Sequence, residues 1–291
     1  TTTGTQTYPG PTTLNCNLTS SGGAITVTGA TTLGAAAVAI DATNGGGTAT
    51  GANITLGGAV TGTGPTILAL DGGTGGAVSV TGAVTNVASF NVGNADTLAA
   101  TGANDFANVN ITTQSTANLN DINALNFGAT GSNIGTNLVL TTGGAVTQGL
   151  GAVVVGGTTD INSGGFDTVL AQTTNNFVGA VTVTNASLVT LNNGANNLNI
   201  AGINTAGAID LDGGVVNIGG AVTGNGIDIL GAGVTGTGNI DVSAAGTNAV
   251  ISTTSGTGTI NHTGTINAGT KDIQVSSTVT NAAITLGALT G

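Results

Sequence analysis

Three carboxylates share one setting in this chain. Asp210, Asp228 and Asp241 are each the middle residue of an apolar–Asp–apolar triplet: Ile209-Asp210-Leu211, Ile227-Asp228-Ile229 and Ile240-Asp241-Val242. Calcium takes carboxylate and carbonyl oxygens, so a recurring outward Asp is a candidate calcium ligand. The plainer reading is solvated surface charge that keeps the particle soluble. A dedicated calcium nonapeptide would recur in tandem. Leu70-Asp71-Gly72-Gly73-Thr74-Gly75-Gly76 resembles it once, without continuation.

Paired carboxylates also serve glycoside hydrolysis. Such sites need aromatic and cationic side chains to grip a sugar. The chain holds five Phe, one Tyr, no Trp and a single cation, Lys271. No catalytic residue and no enzymatic activity are expected. His262, the one histidine, lies in Thr259-Ile260-Asn261-His262-Thr263 and is expected on a solvent-exposed polar turn. Gly231-Ala232-Gly233-Val234-Thr235-Gly236 matches a dinucleotide-binding glycine pattern, but no helix is expected to open there. Cys16 is alone, so disulfides do not hold the fold; it is expected as a small buried hydrophobe. The sequons at Asn17, Asn53, Asn110 and Asn185 are expected by chance in so Asn- and Thr-rich a chain.

Charge narrows the partners. The formal net charge is −11, from 12 Asp against one Lys, with no Glu and no Arg. Phosphate neutralisation needs Lys and Arg, so a nucleic-acid partner is excluded. An anionic membrane surface is disfavoured for the same reason. No apolar run is long enough to span a bilayer.

The same composition selects the architecture. The strong helix formers Glu, Lys, Arg and Met are essentially missing, while Thr, Val and Ile favour pleated strands. A short unit recurs: apolar, small polar, apolar, then a Gly, Ala or Asn turn. Ile25-Thr26-Val27, Ile54-Thr55-Leu56, Val78-Ser79-Val80, Val181-Thr182-Val183 and Ile284-Thr285-Leu286 are examples. In a strand the outer two residues point inward and the middle one outward. Longer copies exist: residues 58–68 align without gaps on 220–230, and Asn104-Asp105-Phe106 matches Asn175-Asn176-Phe177.

A two-residue inward dyad cannot bury itself alone, but stacked coils of such strands form a continuous apolar column. Gly and Asn suit the corners because they tolerate positive φ. The reading is an all-β chain, a parallel β-helix or β-solenoid with little or no helix. Its strands are expected to span three to six residues, in coils of roughly 20–25.

The repeat style resembles the shaft repeats of large bacterial exoproteins. Leu138-Val-Leu-Thr-Thr-Gly-Gly-Ala-Val-Thr-Gln148, Val155-Gly-Gly-Thr-Thr-Asp-Ile161 and Asn176-Phe-Val-Gly-Ala-Val-Thr-Val-Thr-Asn185 carry the likeness. The family is that of filamentous-haemagglutinin-like adhesins and autotransporter passengers. The resemblance implies a right-handed β-helix, secretion by an outer-membrane-bounded bacterium, and an extracellular or cell-surface location.

Residues 22–291 are expected to form the solenoid, and residues 1–21 a linker, cap or docking segment. The chain opens at Thr1 without Met, as a processed chain or a fragment would. Residues 281–291 repeat the internal pattern without a polar cap, so self-association through solenoid ends, or continuation in a longer parent chain, is expected. The expected function is a structural shaft, spacer or adhesive scaffold that could contact surface glycans or another cell surface. The alternative is a ligand-binding solenoid, for ice or glycans. Ice binding would use aligned Thr-x-Thr ranks. Thr26/Thr28, Thr48/Thr50, Thr61/Thr63, Thr182/Thr184, Thr235/Thr237 and Thr257/Thr259 are spaced too irregularly to make one.

Overall fold

The computed structural model describes residues 1–244, 247–254, 256 and 258–290. Among the described residues every regular element is a β-strand, and the strands pair in parallel to build a β-solenoid. The chain divides into two compact units, residues 1–143 with 149–151 and residues 144–148 with 152–291.

In the first unit one face is a ladder of successive coils. Strands Gln6–Tyr8, Ile25–Val27, Ile54–Leu56, Val78–Val80, Leu98–Asn104, Ala117–Asp121 and Leu138–Thr142 pair in that order. Ile25, Ile54, Val78, Leu98, Ala117 and Leu138 therefore stack in one inward column, all buried. The column gives way to a polar residue at Gln6. Its amide donates to Thr2 Oγ1 at 3.0 Å and to the Thr19 carbonyl at 2.8 Å, and its Oε1 accepts from Tyr8 at 2.7 Å. Residues 1–21 are thus folded as a coil of three strands, Gln6–Tyr8, Thr12–Leu14 and Leu18–Thr19, each in register with the coil that follows.

The second unit repeats the plan. Val189, Ile209, Ile227, Ala249 and Ile273 form one inward column, and Ile203, Val222, Ile240, Ile266 and Leu289 another.

Coil length varies more than expected. Ile209 meets Ile227 after 18 residues, whereas Ile25 meets Ile54 after 29. Strand length also departs from expectation, reaching 13 residues in Ala180–Asn192 and 12 in Val60–Asp71. The long strands run round a corner, taking up the bend as register shifts. One falls between Thr85 and Val87, at Asn86 (φ 56°), and another between Val183 and Ala186, at Asn185 (φ 51°). The described non-glycine residues with positive φ are all asparagines: Asn44, Asn86, Asn185 and Asn281.

One corner forces glycine by close approach. A Cβ on Gly29 would run into the carbonyl oxygen of Gly10, one on Gly58 into that of Gly29, and one on Gly82 into that of Gly58. Each lies in a Gly-x-x-Thr segment, Gly10-Pro-Thr-Thr13, Gly29-Ala-Thr-Thr32, Gly58-Ala-Val-Thr61 and Gly82-Ala-Val-Thr85. The small corner residue lets consecutive coils touch through backbone alone.

Polar side chains take over where charges are absent. Asn110 donates to Asn91 at 2.8 Å and Asn126 to Asn108 at 2.8 Å, both across coils. Buried asparagines hold the interior corners. Asn104 accepts from the Val84 N–H and donates to the carbonyls of Ala100 and Asn120. Asn175 likewise accepts from the Val153 N–H and donates to Leu170 and Asn192. The sequence match between residues 104–106 and 175–177 is therefore a repeated hydrogen-bonding device.

Candidate functional site

The carboxylates come together in part. Asp210 and Asp228 are direct partners on adjacent parallel strands, both exposed on the outside of the second unit. Asp212, two residues along from Asp210, joins them; the sequence reading left it out. Partial desolvation against the sheet, then the charges of Asp212 and Asp228, push the Asp210 carboxyl above its ordinary pKa, although its side chain is exposed. Asp212 is raised by desolvation and by Asp228, against a hydrogen bond from Asn192 at 3.0 Å. Asp241 is elsewhere, on a strand that pairs with Val222–Thr223 and Ile266–Asn267. Its Oδ1 accepts from the Ser243 hydroxyl at 2.6 Å and from the Ser243 N–H at 3.1 Å, which lowers its pKa.

Asp210 and Asp228 border an open groove of about 450 Å³ with Ala208, Gly226, Thr247 and Asn248. No aromatic or cationic side chain lines it. Among the described residues, no three His, Cys, Asp or Glu side chains converge on one point. A second stacked pair, Asp41 and Asp71, occurs in the first unit. Asp71 is raised, by desolvation first and by the Asp41 charge in addition, despite a backbone hydrogen bond from Gly73. At Asp41 desolvation is outweighed by hydrogen bonds from Thr43 and from the Gly45 N–H, so its pKa falls.

Two expectations are corrected. His262 is not on an exposed turn; it is fully buried at the inward end of strand Ile260–His262. The flanking Thr and Asn gave the segment a polar look, but Ile260-Asn261-His262 is an inward dyad with histidine in an apolar slot. Neither ring nitrogen makes a hydrogen bond. Burial lowers its pKa, against an opposing effect of the Thr235 backbone. Cys16 is not buried either but free and exposed, in the bend between strands Thr12–Leu14 and Leu18–Thr19. Its neighbour Leu14 takes the inward slot instead.

The glycine pattern 231–236 lies within strand Ile227–Gly236, with no helix after it. Two of the sequon asparagines work as corner staples. Asn17 Oδ1 accepts from the Ala39 N–H and Asn53 Oδ1 from the Ala77 N–H, each at 2.9 Å.

The Thr-x-Thr pairs do not form one rank. Thr26 and Thr61 fall on different ladders, Thr48 and Thr50 lie in a turn, and Thr257 lies outside the described residues. Single hydroxyls nevertheless align. Thr13, Thr32, Thr61 and Thr85 are successive cross-coil partners, three of them exposed, with Thr61 and Thr85 hydroxyls 3.3 Å apart. Thr7, Thr26, Thr55 and Ser79 form a second such rank. The signal was present in the Gly-x-x-Thr corner, which fixes each Thr relative to its coil whatever the coil length.

Residues 114–184 match a family of repeats of unknown function (DUF5649). No curated protein and no solved structure matches the chain.

Proposed function

We propose that this chain is a structural segment of a bacterial extracellular or cell-surface fibre, a shaft or spacer without enzymatic activity. The kinship we infer is with filamentous-haemagglutinin-like and autotransporter-passenger shafts. The observation that carries the reading is the recurring corner, in which Gly10, Gly29, Gly58 and Gly82 link four successive coils through the same backbone contact. Coils joined this way need no new core design for each increment, which is what a spacer requires. Ile284 and Leu289, in the last pair of strands, are each 48% exposed. A further row of parallel strands, from this chain or a second copy, would cover them. Immunogold labelling of sectioned source cells tests the proposal. Label on surface fibres is expected; label confined to the cytoplasm would overturn it.

A second reading rests on the hydroxyl ranks of the first unit. Rows of Thr at one per coil suit an ordered hydroxylated surface, ice or a glycan array. A thermal-hysteresis assay and glycan-array binding, each with Thr32→Val and Thr61→Val, would detect it. We favour the shaft because the ranks are short and the grooves lack aromatic platforms.

A further inference from the structure

His262 occupies a position where a charge has no place to go. Its column runs Ile200, Ile218, Gly236, His262, Leu286 from coil to coil. Ile200, Ile218 and His262 are all buried. Gly236 brings no side chain to the column, and at φ 137° it is confined to glycine, since a Cβ would strike the Ile218 carbonyl. The imidazole follows directly after this side-chain-free position. Its two nitrogens are buried without hydrogen bonds.

Among the described residues no carboxylate faces the ring. Of the two strands paired with Ile260–His262, Ile284–Leu286 carries no ionisable side chain and Ile227–Gly236 carries only Asp228, exposed outside. In the adjoining strands, Asp241 is exposed and engaged by Ser243, and Ile266–Asn267 and Ile273–Ser277 carry no charge. Lys271 and Asp272 are exposed in the preceding turn. An imidazolium here would be an unpaired buried charge, which a protein avoids by releasing the proton or opening.

Opening the coil that holds His262 would release the strands stacked on it. Strands Ile273–Ser277, Ile284–Leu286 and Leu289–Thr290 pair, among the described residues, only with the coil before them. Their would-be inward side chains are partly or largely exposed. Strand Ile284–Leu286 rests directly on the strand that holds His262.

We propose that His262 is an acid-sensitive latch: neutral, it completes the apolar column and holds residues 260–290 closed; protonated, it opens them reversibly. The opened segment binds the proton at the ordinary histidine pKa of about 6.5, and the closed one only at lower pH. Closed-state stability is therefore full above about pH 6.5 and is lost as pH falls. One proton taken up on opening multiplies the opening constant by up to about tenfold per pH unit, until the closed-state pKa is reached.

Hydrogen exchange read by mass spectrometry, at pH 7.5 and pH 5.0, tests this on the whole chain. Protection factors, corrected for intrinsic rates, are compared for residues 260–290 and for the strands between 189 and 218. In the native protein the C-terminal protection should fall about tenfold or more, and that of the reference strands much less. In His262→Leu the C-terminal fall should disappear. Equal falls in both proteins, or none in the native one, would overturn the latch. If His262→Leu does not fold, the ring resonance of the single histidine in the native chain decides. A midpoint below 6.5 supports the proposal, and one at or above 6.5 overturns it.

Discussion

The backbone N–H of Phe106 donates to Asp121 Oδ2 at 2.7 Å, reaching from one coil to the next inside the first unit. Phe177 does the same with Asn193 Oδ1 at 2.8 Å in the second. Asp121 and Asn193 are both buried, so a carboxylate and an amide fill equivalent roles. Phe106 also stacks on Phe90, with ring centroids 4.4 Å apart, so this bond anchors an aromatic pair. Asp121→Ala should lower stability by about 1–3 kcal/mol by leaving a buried N–H unpaired. Asp121→Asn should be milder, because it keeps an acceptor and removes a charge whose pKa burial raises. Urea unfolding of the two variants checks the order.

The Asp210–Asp212–Asp228 group sets a pH dependence of known sign. Asp210 and Asp212 are raised in the folded state, so folding favours their protonated forms. Their stabilising contribution is full below the ordinary value of 3.8 and is lost as pH rises through the raised values. Asp210→Asn should raise the urea midpoint at pH 7, with the gain shrinking toward pH 4 and in high salt. A gain independent of pH would contradict the electrostatic account.

The same group tests the calcium question. Chelator should leave the melting temperature unchanged. A drop of several degrees on adding chelator, reversed by calcium and absent in Asp228→Asn, would place a cation between the stacked carboxylates.

Two threonines occupy apolar slots without using their hydroxyls. Thr159 and Thr168 are fully buried and their Oγ1 atoms have no hydrogen-bond partner. Thr159→Val and Thr168→Val should each stabilise the chain, by about 1 kcal/mol, since the swap removes an unsatisfied polar group at nearly constant volume. Thermal melts of both variants measure this. The opposite change at a glycine corner should be harmful. Gly58→Ala would press a methyl group into the Gly29 carbonyl and should lower stability by about 1–3 kcal/mol.

Much of the fold was legible because its rule is local. Ile25-Thr26-Val27 and Ile54-Thr55-Leu56 announce inward dyads by alternation alone, and they pair residue for residue. What resisted was register between coils. The turn at residues 42–53 lengthens one coil to 29 residues, and no fixed period predicts that Thr32 meets Thr61. His262 falls on the inward end of a dyad, whereas Cys16 lies in a bend outside any dyad. Inward or outward orientation is set by position within the dyad, and residue type is a weaker guide where polar residues flank the slot. The pairing of Asp210 with Asp228 was likewise invisible without the 18-residue coil between them.

The central proposal is that successive coils are interchangeable increments, and removing one coil tests it most directly. Val78 pairs with Ile54 before it and Leu98 after it, so deleting residues 78–97 brings Leu98 into the register position that Val78 held. The account predicts a shortened chain with an unchanged strand signal per residue by circular dichroism and a single cooperative melt. A deletion product that is unfolded, or that melts without cooperativity, would contradict it.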